Sequence, residues 1–143
     1  CVVSKNESVI KTVLKFAQSR LSPPTYAQIA SEAALETPQS YFEEINVKYV
    51  SRRNLLIHEL KKIDGLKVAN PKGAFYAFPK IEDNRFGNDK EFVTKLLESK
   101  GVLTVHGSGF GEQYGSGHFR LVYLANIEIL DSAMNKIEEF VTQ

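Results

Sequence analysis

Arg120 stands in "GHFRLVYLA", residues 117–125, where Phe119, Leu121 and Tyr123 alternate with Val122 and Leu124. That alternation predicts a β-strand that is apolar on both faces, with Arg120 on the Val122/Leu124 side. A guanidinium left without a partner in a dry place costs several kcal/mol. Two readings are open. Arg120 can sit near the strand's start and snorkel out past the preceding loop. Alternatively it is a fork of donors awaiting a planar carboxylate, a task suited to a bidentate side chain that stays charged.

Other candidates carry less chemistry. The segment 107–117, "GSGFGEQYGSG", holds five glycines and invites comparison with a phosphate cradle. Gly107, Gly109 and Gly111 do not complete G-x-G-x-x-G, no Gly-Lys-Ser/Thr follows, and the loop leads into a strand instead of a helix N-terminus. "HELKK" at 58–62 begins like a zinc-protease helix, but Lys62 replaces the second histidine. His58 is expected on the helix surface. His106 and His118 flank the Gly-rich loop and could both approach a cavity, although catalysis would require an oriented partner for either. Glu43/Glu44 and Glu138/Glu139 read as solvated charges on helices with apolar inner faces. Arg20, Arg52 and Arg53 are expected at the surface.

These residues must be positioned by a chain of 143 residues, 43% of them hydrophobic, enough for a genuine core. Charge is nearly balanced, 18 Lys+Arg against 17 Asp+Glu, which argues against a nucleic-acid or anionic-membrane surface. No apolar run reaches the roughly 20 residues needed to span a bilayer, and no signal peptide is seen, so a cytoplasmic protein is expected. The single cysteine, Cys1, excludes an internal disulfide framework and a multi-cysteine metal site. Because "CVVS" reads as the end of a buried strand, the chain is expected to be part of a longer protein.

Along the chain, Asn6 is expected to cap a helix bearing Val9, Ile10, Val13, Leu14 and Phe16, which ends at "SRLSPPT". A second helix follows in "TYAQIASEAALE". A long third helix over residues 38–64 carries Phe42, Ile45, Tyr49, Leu56, Leu60 and Ile63 on one stripe and stops at Gly65. Two strands, "LKVA" and "AFYAFP", are expected on either side of an "NPKG" turn. Asn88 with Glu91 predicts a capped helix to about Lys100. A strand "GVLTV", the Gly-rich loop, the Arg120 strand and a last helix capped by Asn126 complete the order. The pattern predicts a two-layer α/β domain over 38–143, a small sheet covered by helices. Residues 1–37 are helices without a sheet of their own.

Five segments in order, "SPPTYAQIAS", "YVSRRNLLIHEL", "PKGAFYAFP", "GVLTVHGSGFG" and "GHFRLVYLA", resemble the C-terminal portion of class I/II pyridoxal-phosphate-dependent aminotransferases. The resemblance covers essentially the whole chain. It implies that residues 1–37 are a remnant of the large domain and interdomain helices, and that 38–143 form the C-terminal small domain. It implies that Arg120 binds the α-carboxylate of an amino-acid or 2-oxo-acid substrate. Phe75 and Tyr76 would border that substrate, and Arg20, near the family's subunit interface, would contribute to its recognition. His106 stands where the family's "P-G-S-x-F-G" turn has proline.

The same resemblance implies a cytoplasmic homodimer using pyridoxal 5'-phosphate. The family's Schiff-base lysine motif and its Gly-x-Arg phosphate contact do not occur in these 143 residues. The chain alone is therefore expected neither to bind the cofactor covalently nor to catalyse transamination, and it contributes no cofactor-binding or metal-binding residue. A lyase or synthase of the same superfamily would share the arginine, and a non-catalytic α/β domain binding carboxylates or a protein is the third alternative.

Overall fold

A computed structural model describes all 143 residues, which form two compact units, Cys1–Tyr41 and Phe42–Gln143. In the first, Asn6 Oδ1 accepts the N–H groups of Ser8 at 2.9 Å and Val9 at 3.4 Å, and so starts α1 (Glu7–Gln18). The side-chain oxygen satisfies donors that no earlier turn can reach. After Pro23 and Pro24 comes α2 (Thr25–Ala34). Neither helix buries a residue; Leu21 is 91% exposed and Tyr26 76%.

The second unit begins within α3 (Gln39–Leu60), whose C-terminal half buries Leu56, Ile57 and Leu60. This helix ends four residues before the predicted position 64. Its last carbonyls are taken in tighter turns, Glu59 by the Lys62 N–H and Leu60 by the Ile63 N–H, before Gly65 reverses the chain at φ +91°. There follow β1 (Leu66–Lys67), β2 (Tyr76–Ala77), β3 (Lys80–Ile81), α4 (Asp89–Lys100), β4 (Val105–His106), α5 (Glu112–Gly115), β5 (Phe119–Val122) and α6 (Ile127–Thr142). Asn88 and Asn126 cap α4 and α6 by accepting from Glu91 N–H and Ile129 N–H, each at 3.0 Å.

The two strands expected on either side of "NPKG" are not paired with each other across that turn. The segment 74–79 is not one strand: β2 and β3 flank Phe78 and Pro79, and β1 pairs antiparallel with β3. Pro79 has no N–H to offer a ladder, but its carbonyl accepts the Phe119 N–H at 3.0 Å. β5 lies in the middle of a three-stranded antiparallel sheet, β2-β5-β4.

One face of that sheet, through Ala77, Phe119, Leu121 and Tyr123, packs on Phe92 and Leu96 of α4 and on Leu130, Met134, Ile137 and Phe140 of α6. The sheet and its helices are thus the two expected layers. No helix is long and apolar enough to cross a membrane.

Candidate functional site

Register puts Arg120 on the sheet's other face. Arg120 lies opposite Val105, and Val122 opposite Tyr76, so Tyr76, Val105, Arg120 and Val122 share a surface. Val105, Val122 and Tyr76 are exposed to solvent and Arg120 is half-buried. The guanidinium carbon lies 4.7 Å from the centre of the Tyr76 ring and 4.3 Å from that of Phe110. These contacts draw the cation onto the electron-rich ring faces and strip water from it. They supply no hydrogen-bond acceptor in the plane of the fork. Arg120 Nε is buried without a partner, and the side chain enters no ion pair.

The other arginines of this unit differ. Arg85 binds Asp83 at 2.6 Å, Arg52 donates to the Leu124 carbonyl at 2.7 Å, and Arg53 donates to Asn54. A half-buried cation with an orphaned donor lies beside an open apolar surface, and such a fork is chemically able to take a planar anion.

The remaining predicted residues are placed as follows. Tyr76 is brought to Arg120. Phe75 packs against the core, its ring 4.6 Å from Tyr76 and 6.4 Å from Tyr49. Tyr123, on the buried side of the sheet, donates from its hydroxyl to the Ala74 carbonyl at 2.9 Å, fixing the turn that delivers Phe75 and Tyr76. Arg20 lies in the first unit, just beyond α1, and is exposed.

The Gly-rich segment folds into a short 3-10 turn, Gly107–Phe110, followed by α5. Four of its N–H groups are engaged, three near by and one by α4: Gly107 to His118 O at 2.7 Å, Gly109 to His106 Nδ1 at 3.1 Å, Gly111 to Ser108 O at 3.1 Å, and Ser108 to Asp89 Oδ2 at 2.6 Å. They form no phosphate cradle. Two of the glycines serve another need. Gly107 and Gly115 lie backbone against backbone, and a Cβ on either would overlap the other's carbonyl oxygen.

His106 is a turn residue, its Nδ1 accepting from Gly109 N–H and lying 2.9 Å from Ser108 Oγ. His118 stacks on Phe78 at 5.1 Å between ring centres. No group of three or more His, Cys, Asp or Glu is placed to hold a metal ion.

Sequence reasoning passed over two residues of this neighbourhood. Phe110 stood in the sequence as the phenylalanine of the turn that resembles "P-G-S-x-F-G", with no role of its own given to it. Asp89, which the sequence pattern did not single out, stands in the first turn of α4 and is buried, at 4% exposure. Burial raises its pKa, but the hydrogen bonds from the backbone and side chain of Ser108, and from its own N–H, outweigh that. The carboxyl ends below its ordinary value of 3.8. A carboxyl depressed in the folded state contributes stability that is complete above the unfolded value and disappears as pH falls through the folded one. Urea midpoints are therefore expected to drop below about pH 4, and less steeply in Asp89→Asn than in the parent; equal acid slopes would contradict this.

Comparison with known proteins gives the fold its relatives. The family model for class I and II aminotransferases matches residues 1–137. The solved structure of an alanine aminotransferase from Pyrococcus furiosus superposes with a TM-score of 0.89 at 46% identity, over 96% of this chain and 35% of that one. An aspartate aminotransferase of Pyrococcus horikoshii is 38% identical over 117 residues, 80% of this chain and 29% of its own length. Aromatic-amino-acid aminotransferase 2 of Thermococcus litoralis is 35% identical over 140 residues, 96% of this chain and 35% of its own length. The chain thus spans about a third of the length of these relatives, and it belongs to the class I and II aminotransferase family.

Proposed function

We propose that the chain is the substrate-carboxylate-binding part of an enzyme that moves an amino group between an α-amino acid and a 2-oxo acid, and that Arg120 binds the α-carboxylate. The observation that carries this reading is the half-buried guanidinium, set against two rings, whose Nε has no partner. A carboxylate bound bidentately by the guanidinium fork would neutralise the charge. Tyr76 and Phe110 restrict the side chain's rotation and keep water from its faces, so the bound carboxylate is oriented as well as held. Arg120 moves no proton.

The family uses pyridoxal 5'-phosphate. The groups gathered at Arg120 fit a carboxylate and do not fit that cofactor, which needs an amine for its aldehyde and donors for its phosphate. Lys100, the one lysine that is not exposed, is tied to Glu139 at 2.9 Å, and the Gly-rich loop's N–H groups are engaged. Residues 1–37 are assigned to the large-domain side and 38–143 to the small domain. The first unit's helices bury no residue, which supports their packing on further protein. A homodimer in the cytoplasm belongs to the same proposal and rests on the family resemblance alone.

Assaying the intact protein with a panel of amino acids and 2-oxoglutarate tests the reaction, and Arg120→Lys tests the role. The lysine keeps the charge but loses the fork, so KM is expected to rise roughly tenfold. An unchanged KM would remove Arg120 from the site.

A further inference from the structure

We propose that Asp89 and Phe110 are positioning residues for carboxylate binding at Arg120: Asp89 pins the Gly-rich loop, and the loop sets the Phe110 ring against the guanidinium. This deepens the carboxylate-binding reading of Arg120 and rests on it.

The two rings on Arg120 are held in different ways. Tyr76 belongs to β2, and its place is fixed by pairing with Val122 of β5. Phe110 belongs to no strand. It closes the turn Gly107–Phe110, and its own place depends on what anchors that turn.

Most of the anchors are local. Gly107 N–H bonds to His118, Gly109 N–H to His106, and Gly111 N–H to Ser108, all within the loop or its flanking strands. Asp89 comes from elsewhere, the first residue of α4, and its Oδ2 accepts the Ser108 N–H at 2.6 Å. The same oxygen lies 4.0 Å from His106 Nδ1, and His106 Nδ1 in turn holds the Ser108 hydroxyl at 2.9 Å. Asp89 is buried, so its carboxylate cannot swing away into solvent.

A continuous path of contacts therefore runs from α4 through Asp89 and Ser108 to Phe110 and on to Arg120. Charge-assisted hydrogen bonds to a backbone N–H are among the stronger anchors available to a loop. Phe110 is half exposed, at 52%, and contributes no core packing that would fix it otherwise, apart from an edge contact with Phe78 at 6.2 Å between ring centres.

A purely stabilising role for Asp89 at the start of α4 predicts something different. It would lower stability on removal without touching carboxylate affinity, and its effect would not depend on Phe110. Titration calorimetry of the intact holoenzyme with propionate separates the two roles, using Asp89→Ala, Asp89→Asn, Phe110→Ala, the double variant Asp89→Ala/Phe110→Ala, and Arg120→Ala as reference.

Asp89→Ala and Phe110→Ala are each expected to weaken propionate about three- to tenfold, with the double variant no weaker than Phe110→Ala alone. Asp89→Asn keeps an acceptor for Ser108 N–H and is expected to recover part of the loss. Parent-like affinity in Asp89→Ala, with binding lost in Arg120→Ala, would overturn the inference while leaving the carboxylate reading intact. So would losses that simply multiply in the double variant. Parent-like affinity in Arg120→Ala would overturn the carboxylate reading, and this inference with it. If Asp89→Ala does not fold, Asp89→Asn crossed with Phe110→Leu gives the same comparison.

Discussion

Arg120→Ala is expected to lower kcat/KM for amino-acid substrates by roughly two to three orders of magnitude in the intact protein. If the substrate carboxylate binds as proposed, truncation removes its guanidinium and leaves it against Tyr76 and Phe110, rings that cannot hydrogen-bond it in its plane. Losing one member of a desolvated, hydrogen-bonded charge pair costs about 2–5 kcal/mol, and each 1.36 kcal/mol is tenfold in rate. Where Arg120 only binds, the loss falls on KM; where it also aligns the substrate, kcat falls too. Steady-state kinetics with an amino acid and its decarboxylated amine separate binding from damage. The amine has no carboxylate to lose and is expected to react equally in parent and variant. An equal loss for the amine would show that Arg120 supports the fold instead.

Phe92→Ala is expected to cost about 3–5 kcal/mol of stability. Phe92 is 0% exposed and sits in a ring cluster, its centroid 4.8 Å from Phe119, 5.2 Å from Phe86 and 5.4 Å from Phe140. Removing the ring takes away its transfer free energy, its aromatic contacts and its volume, in a place where a helix, a strand and α6 meet. Against a whole-domain stability of about 5–15 kcal/mol this is a large fraction. Phe119 is the neighbour of Arg120 on β5, so loosening there reaches the site. Urea unfolding followed by circular dichroism gives the value, and a cost under about 1 kcal/mol would contradict the packing.

What could be read from the residues divides by range. Local signals were legible: Asn6, Asn88 and Asn126 cap the helices they precede, and Gly65, read as the stop after α3, turns the chain at φ +91°. β5 was legible because its alternation is strict, and Arg120 stood out as the one charge within it. Pairing was not. β1 joins β3 because Pro79 interrupts the expected strand, and nothing in "LKVA" states which partner it will find. Phe110 and Asp89 were missed for the same reason: their meaning lies in contacts across 10 and 19 residues of chain, to Arg120 and to Ser108. Burial of one first-turn acid among several is decided by where the loop lands, and no periodicity records that.

The meeting of Gly107 and Gly115 has a consequence for variation. Each position is closed by the other's carbonyl, so no side chain fits at either, and changing both together only adds bulk from two directions. No compensating pair exists for this contact, unlike a cavity, which a neighbour can fill. In a saturation library of the loop, substitutions at Gly107 and Gly115 are expected to drop out, whereas Phe110, half exposed, admits other side chains at the expense of its ring on Arg120. The loop that carries the ring onto Arg120 can thus be retuned in its middle while its closure stays the same. That is a division of labour within nine residues: a closure that admits no side chain, and a tip whose ring against Arg120 can vary.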